Sequence, residues 1–440
     1  MSRFLLRLGA AGALALLAYT AYRRFETILA EGPAREYVLF YVVPLAGIAA
    51  ALWLLSLAGR DTRIMALVTG ASIVVAVYGA EIYLRLQGYD VYALVEDAAK
   101  RGGETFDRRT IDEVVADTRK VDPTAHPFMR ALNQGGAIMP LANTPARTIV
   151  WCNERGRYLV FKSDRHGFNN PDAVWDSAPV DIAVVGDSFV QGACAPGNDG
   201  MADRARKANP SIVNLGIGGN EPLTNLATLR EYAPAVRPKR IVWVHYAGND
   251  LSGMSIAANH PVLRRYVEEP GFGQNLAGRA QEIATLMDAF FAAGFGSLNR
   301  YERSPLEQML RNPMLALKVT ALRERLGATH NDGISVDFVL FEKTMRRAKE
   351  LADALGAELS FISLPHALQA ERPLDEPEQR VKAIVESLGI FHLDAGAVMR
   401  ARGAPEQFYV FGRYGGHLSA AGDALLGELI LAAAARRRPN

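Results

Sequence analysis

Residues 37–58 carry no charged side chain and are long enough to span a bilayer as a helix. That run divides the chain: the first ~90 positions read as membrane, and the remainder alternates like an ordinary water-soluble domain. A second span is expected at 64–80, where Ile82, Tyr83 and Leu84 extend the apolar run past Glu81. Tyr83 and Arg85 suit the membrane interface there. The shorter run at 8–22 follows Arg3 and Arg7 and fits either a short span or the core of a signal peptide. If it spans or is cleaved, the next two helices form a hairpin and the C-terminal domain lies outside; if it stays cytoplasmic, the domain lies inside. Arginines bias this weakly, with Arg3, Arg7, Arg60 and Arg63 inside against Arg23, Arg24 and Arg35 outside. The net charge of +2 gives no basic field for nucleic acid.

Three regions are expected: a membrane anchor of two or three helices over 1–86, a polar linker over 87–147, and a large domain over 148–440. The domain opens with a β-hairpin over 148–163, in which a polar Asn153-Glu154-Arg155-Gly156 turn joins two apolar stretches. From residue 180 strands alternate with helices. Asp181–Val185 is a continuous apolar strand, as in a parallel sheet buried on both faces. Further strands are expected at Ser211–Leu215, Arg240–His245, Glu358–Leu364 and Ile390–Leu393, with helices over 222–232, 337–355, 376–388 and 419–435. This alternation predicts an α/β fold with a doubly wound parallel sheet. Residues 251–330 interrupt it as a helical insertion, either over the mouth of a site or packed against the sheet edge.

Chemistry concentrates at the strand ends. Gly186-Asp187-Ser188 follows the first buried strand directly, where ligands bind in open α/β sheets. A serine nucleophile needs a base, and its acyl intermediate needs donors for the oxyanion. A Gly-Asp-Ser tripeptide alone reads equally as a polar turn. The second strand, however, runs into the glycine-rich turn Gly216-Ile217-Gly218-Gly219-Asn220, and the third into Ala247-Gly248-Asn249-Asp250. Near the C-terminus, Gly415-Gly416-His417-Leu418-Ser419 opens the last helix. The turn at Gly216 is no dinucleotide fingerprint, because Glu221 stands where the final glycine belongs. No Walker A, H-E-x-x-H or G-x-S-x-G pattern is present, and neither a cofactor nor a metal is expected.

This ordered set resembles the SGNH, or GDSL, hydrolase superfamily, whose signature residues match Ser188, Gly219, Asn249 and His417. The resemblance covers residues ~180–435, and four blocks in register are more specific than any one. It implies a flavodoxin-like three-layer domain with a central parallel sheet, behind the N-terminal transmembrane helices. It also implies Ser188 as nucleophile and His417 as base, with an oxyanion hole from the Ser188 and Gly219 amides and the Asn249 side chain. Asp187 and Asp250 read as structural, bonding to loop backbone. The family usually places an aspartate three residues before the histidine; here that position is Tyr414. The third member is therefore unassigned. Asp394 is the nearest acid but reads better as a helix N-cap. His245 reads as a core or rim histidine, and His366, at another strand end, as one that can touch substrate.

Cys152 and Cys194 are the only cysteines, and counting alone leaves a disulfide and two buried thiols equally open. A disulfide joining the hairpin to the nucleophile loop is expected, at spacings unlike those of a zinc site. The segment Ser163–Pro171 resembles lead-ins of exported SGNH proteins in bacterial surface-polysaccharide systems. The expected protein is a bacterial inner-membrane, periplasm-facing esterase acting on an acylated glycan or another ester. An O-acyltransferase working with other polysaccharide-biosynthesis proteins, and a silent glycan-binding or scaffold subunit, are the alternatives.

Overall fold

The computed structural model describes residues 1–23, 38–88, 91–129, 138–197, 199–292 and 336–436. The chain divides into two units, Met1–Asp90 with Arg303–Gly333, and Val91–Glu302 with Ile334–Asn440.

In the first unit, α1 (Ser2–Arg23) packs on α2 (Val43–Leu57), which a π-helical turn at Val38–Val42 precedes and Pro44 opens. Helix α3 (Arg60–Gly88) follows after Ala58. Gly9 lets α1 approach closely, since a methyl there would sit 3.2 Å from Leu52 Cδ1, and the Arg7 guanidinium lies over the Trp53 ring. Among the described residues, the segments long and apolar enough to cross a membrane are Ser2–Tyr22 and Arg60–Tyr83; Val43–Leu57 is shorter. The expected span at 37–58 is thus a 15-residue α-helix behind a π turn, because Pro44 cannot donate to a helix already running through it. The 8–22 run becomes a full-length helix, because helical structure continues through Arg3, Arg7 and Arg23.

The second unit begins with α4 (Val91–Arg101) and α5 (Ile111–Arg119), the latter started by a capping box between Thr110 and Glu113. Residues 87–147 are therefore not the expected linker from Val91 onward. Their apolar side chains are few but fall at helical spacing, so Val95, Ala99, Ile111, Val114 and Val115 are buried under a polar outer face. Ile138, Met139 and Leu141 join the main core. A small sheet pairs β1 (His126–Pro127) with β2 (Thr148–Val150), and β2 antiparallel with β3 (Val160–Lys162) in the register Thr148↔Lys162. That is the expected hairpin.

The main sheet is parallel throughout. Its strands are β4 (Ile182–Val185), β5 (Ile212–Asn214), β6 (Arg240–Tyr246), β7 (Glu358–Leu364) and β8 (Phe391–Asp394), in spatial order β5-β4-β6-β7-β8. Side chains alternate between two cores. Ala183, Val185, Ile241 and Trp243 face α8 (Pro222–Val236), which follows the short helices α6 (Ser188–Gln191) and α7 (Met201–Arg206) in the chain. Ile182, Val184, Val242 and Val244 face the last helix, Ala420–Ala435. Helices on both faces of a parallel sheet make the expected three-layer, doubly wound α/β fold.

The described part of 251–330 holds α9 (Asp250–Ala257), α10 (Pro261–Glu268) and α11 (Ala280–Ala292). Leu263, Tyr266, Ile283 and Met287 sit in the same core as α8, so this part packs on a sheet face. Residues 293–330 lie outside the described residues. After them run α12 (Phe338–Ala354), α13 (Glu376–Ser387) and α14 (Ala395–Arg402), and Ala420–Ala435 is α15.

Candidate active site

Strand β4 is the point where the sheet order reverses, with β5 on one side and β6 on the other, so the loops after these three strands converge. The turn out of β4 needs Gly186, because a methyl there would meet Val190 Cγ2 at 2.6 Å and the Val244 carbonyl at 2.8 Å. Asp187 caps α6 by accepting from the Phe189 amide at 3.0 Å, which leaves Ser188 as the first helical residue. Ser188 is only 9% exposed, and its Oγ lies 3.0 Å from His417 Nε2.

His417 arrives on the loop before α15. The Val410 amide donates to the His417 carbonyl, and Tyr409 bridges to Leu418. Phe189 and Trp151 pack against the imidazole, with ring centroids 5.1 and 6.4 Å away. Glu154, from the turn of the β2–β3 hairpin, grips the histidine twice. Its Oε1 is 2.9 Å from His417 Nδ1, and its Oε2 accepts the His417 backbone N–H at 2.7 Å. A carboxylate at Nδ1 fixes the proton there and turns the Nε2 lone pair toward the Ser188 hydroxyl.

The electrostatics agree with that geometry. Burial disfavours the imidazolium of His417, but the charge and hydrogen bond of Glu154, with the charges of Asp187 and Asp423, outweigh it and hold the pKa above the ordinary value. Burial also pushes Glu154 up, and His417 with Arg155 more than compensates, so its carboxyl stays below the usual range. Asp187, buried beside Asp250, is pushed up to about 7 and serves as the cap of α6, in keeping with a structural part.

The other residues singled out above divide between the site and the framework. Gly219 lies in the turn after β5 with φ +77°, and Asn249 immediately precedes α9. Among the described residues, neither the Gly219 amide nor the Asn249 side chain spends its donors inside the protein. Both loops flank the Ser188 turn. Tyr414 is 65% exposed and takes no part in the relay. Asp394 caps α14 through the Ala397 amide and pairs with Arg400. His245 is fully buried, 3.1 Å from Asp250 and 3.2 Å from Glu378, as a core histidine. His366 is half-buried near Tyr246 and Gly415, and its Nδ1 accepts the Leu368 amide.

Cys152 and Cys194 are joined in a disulfide, with Cα atoms 5.0 Å apart. Their sulfurs lie close to His417 Nδ1, but sulfurs bonded to each other are not the thiolates a metal would take. Glu154 is the residue that sequence reasoning missed. The available signal was its place two residues after Cys152, whose expected partner follows Ser188 closely.

No family model and no curated protein matches this chain. Solved structures similar to it include a catalytic mutant of Axe2, an acetylxylan esterase from Geobacillus stearothermophilus. That match has 15% identity and a TM-score of 0.31, over 59% of this chain and 96% of that one. A protein described as lipolytic and of the G-D-S-L family, from Desulfitobacterium hafniense, matches at 14% identity and a TM-score of 0.28, over 57% of this chain and 96% of that one.

Proposed function

We propose that this chain is a membrane-anchored serine esterase of SGNH type, which removes O-acyl groups, acetyl in the simplest case, from a cell-surface glycan. The observation that carries the reading is the relay from Ser188 Oγ through both nitrogens of His417 to Glu154, at 3.0 and 2.9 Å. Ser188 Oγ attacks the ester carbonyl carbon while its proton passes to His417 Nε2. The C–O bond to the sugar breaks as His417 returns that proton to the leaving alkoxide. Water then repeats the sequence and frees the acid and Ser188. Glu154 stabilises the imidazolium formed in each half. The Ser188 and Gly219 amides and the Asn249 side chain receive the oxyanion, each such donor being worth about 3–4 kcal/mol of barrier.

A silent scaffold subunit drew its support from Tyr414 at the usual aspartate position, and Glu154 removes that support. The transferase alternative shares the acyl-enzyme and differs in passing the acyl group to a sugar hydroxyl. The membrane-length helices support anchoring in a membrane, and the disulfide supports a domain facing the periplasm, for which Val38–Leu57 must cross as well. The glycan substrate rests on the resemblance of the Ser163–Pro171 lead-in.

The test is p-nitrophenyl acetate turnover by the full chain in detergent. Ser188→Ala is expected to lose on the order of 10³-fold or more in kcat/KM; equal rates in both proteins overturn the reading. Acetate released from an acetylated glycan into water, rather than moved to an added sugar acceptor, separates esterase from transferase. Alkaline phosphatase fused after Asn440 is expected to be active, and an inactive fusion overturns the location.

A further inference from the structure

Resting on the Ser188–His417 reading above, we infer that the Cys152–Cys194 disulfide is a positioning element of catalysis, which carries the Glu154 carboxylate to His417 from a separate piece of the fold. Nucleophile and base stand on loops of the main sheet, but the acid stands on the turn of the small β2–β3 hairpin. Nothing in the main sheet's ladder holds that turn in place. Hydrogen bonds join the turn to Asp107, and two ties bracket Glu154 and lead from it to the site.

On one side is the disulfide. Cys152 lies two residues before Glu154, and Cys194 lies six after Ser188, on the same loop as the nucleophile. That loop is itself tightly drawn. The Ala193 amide donates to the Ser188 carbonyl at 2.9 Å, and Cys194 takes φ +55°, in the left-handed region that favours glycine. On the other side is Arg155, which donates to the Leu418 carbonyl, next to His417, and pairs with Asp423 in α15. The disulfide also touches the base, with Cys194 Sγ 3.5 Å from His417 Nδ1, the nitrogen that Glu154 holds. The crosslink therefore fixes the acid's distance from the nucleophile loop and packs an apolar wall along the Glu154–His417 hydrogen bond. Placing a catalytic group to within about half an ångström is what such a tie supplies.

The charged groups facing His417 are Glu154 from the hairpin turn, Asp187 from the nucleophile loop, and Asp423 from α15, the last neutralised by Arg155. Losing Glu154 removes the largest of the influences that favour the imidazolium. The acid limb of the pH–rate profile, which reports the free enzyme's base, then moves to lower pH.

The experiment compares four full-length proteins in detergent: wild type, Glu154→Gln, Cys152→Ser with Cys194→Ser, and the triple variant. Glu154→Gln and the cysteine pair are each expected to lower kcat/KM on the order of 10³-fold and to move the acid limb downward. In the triple variant, Glu154→Gln is expected to add little, because both changes remove one interaction. If the cysteine variant does not fold, reduction of native wild type by a phosphine, with two thiols counted, replaces it. Reduction is then expected to reproduce the rate loss and limb shift, and reoxidation to reverse them. A tie with a merely structural part lowers the melting temperature but leaves the limb where it was; that result overturns the inference. Retained activity in Ser188→Ala would instead sink the nucleophile reading, so the two failures are distinguishable.

Discussion

At Gly416 the backbone turns with φ +75°, and a methyl there would lie 2.6 Å from Phe411 Cδ2 and 3.1 Å from Glu154 Oε2. The residue before the base thus leaves room for the acid. Gly416→Ala is expected to cost about 1–2 kcal/mol of stability from the left-handed conformation alone. It should lower kcat more than it raises KM, because it crowds the carboxylate and not the substrate. Thermal melts and steady-state kinetics check this, and an unchanged kcat would contradict it. Ser188, Gly219, Asn249 and His417 stand out in the sequence because each has a glycine within two residues, at the end of a recognisable strand or the start of a helix. Glu154 had no such frame. A glutamate between asparagine and arginine in a polar turn reads as solvated surface, and only the fold shows the turn folded onto His417. The pairing of Cys152 with Cys194 was the one long-range constraint that could have brought it there.

Among elements, strands β4 to β7 were legible because a strand buried on both faces is a largely continuous apolar run, half-buried β8 was legible at the sheet edge, and the helices begin at clear caps. Glu221 with Pro222, Asp375 with Pro377, and Ser419 are such starts. The short helices α4 and α5 were not legible, because a few apolar residues buried under a polar face resemble linker composition. Strand β6 carries a further feature, the fully buried His245 between Asp250 of α9 and Glu378 of α13. Burial works against its charge, but Glu378 and Asp250 overcome it and raise its pKa to about 10. A raised folded-state pKa contributes stability in full below the unfolded value of about 6.5 and loses it as pH climbs toward 10. His245→Gln is therefore expected to melt lower at pH 6.5, with a loss of about 3–5 kcal/mol of stability for two buried carboxylates left unpaired. The gap to wild type should narrow toward pH 10. Melting curves that stay parallel across that range would contradict the pairing.

For the molecule as a whole, the relay is assembled from three stretches far apart in sequence: the hairpin turn at Glu154, the nucleophile loop at Ser188 and the loop before α15 at His417. A doubly wound sheet brings two of them together at its switch point, and the hairpin and its disulfide supply the third. The N-terminal helices add segments long and apolar enough to cross a membrane. The central claim is that Ser188 becomes acylated with His417 as its base. Rapid acid quenching of the full-length protein during turnover of a slowly released acyl ester, followed by peptide mass mapping, tests it most directly. The account predicts an acyl increment on the peptide containing Ser188, greatly diminished in His417→Ala; an increment on another residue, or steady turnover in Ser188→Ala, would contradict it.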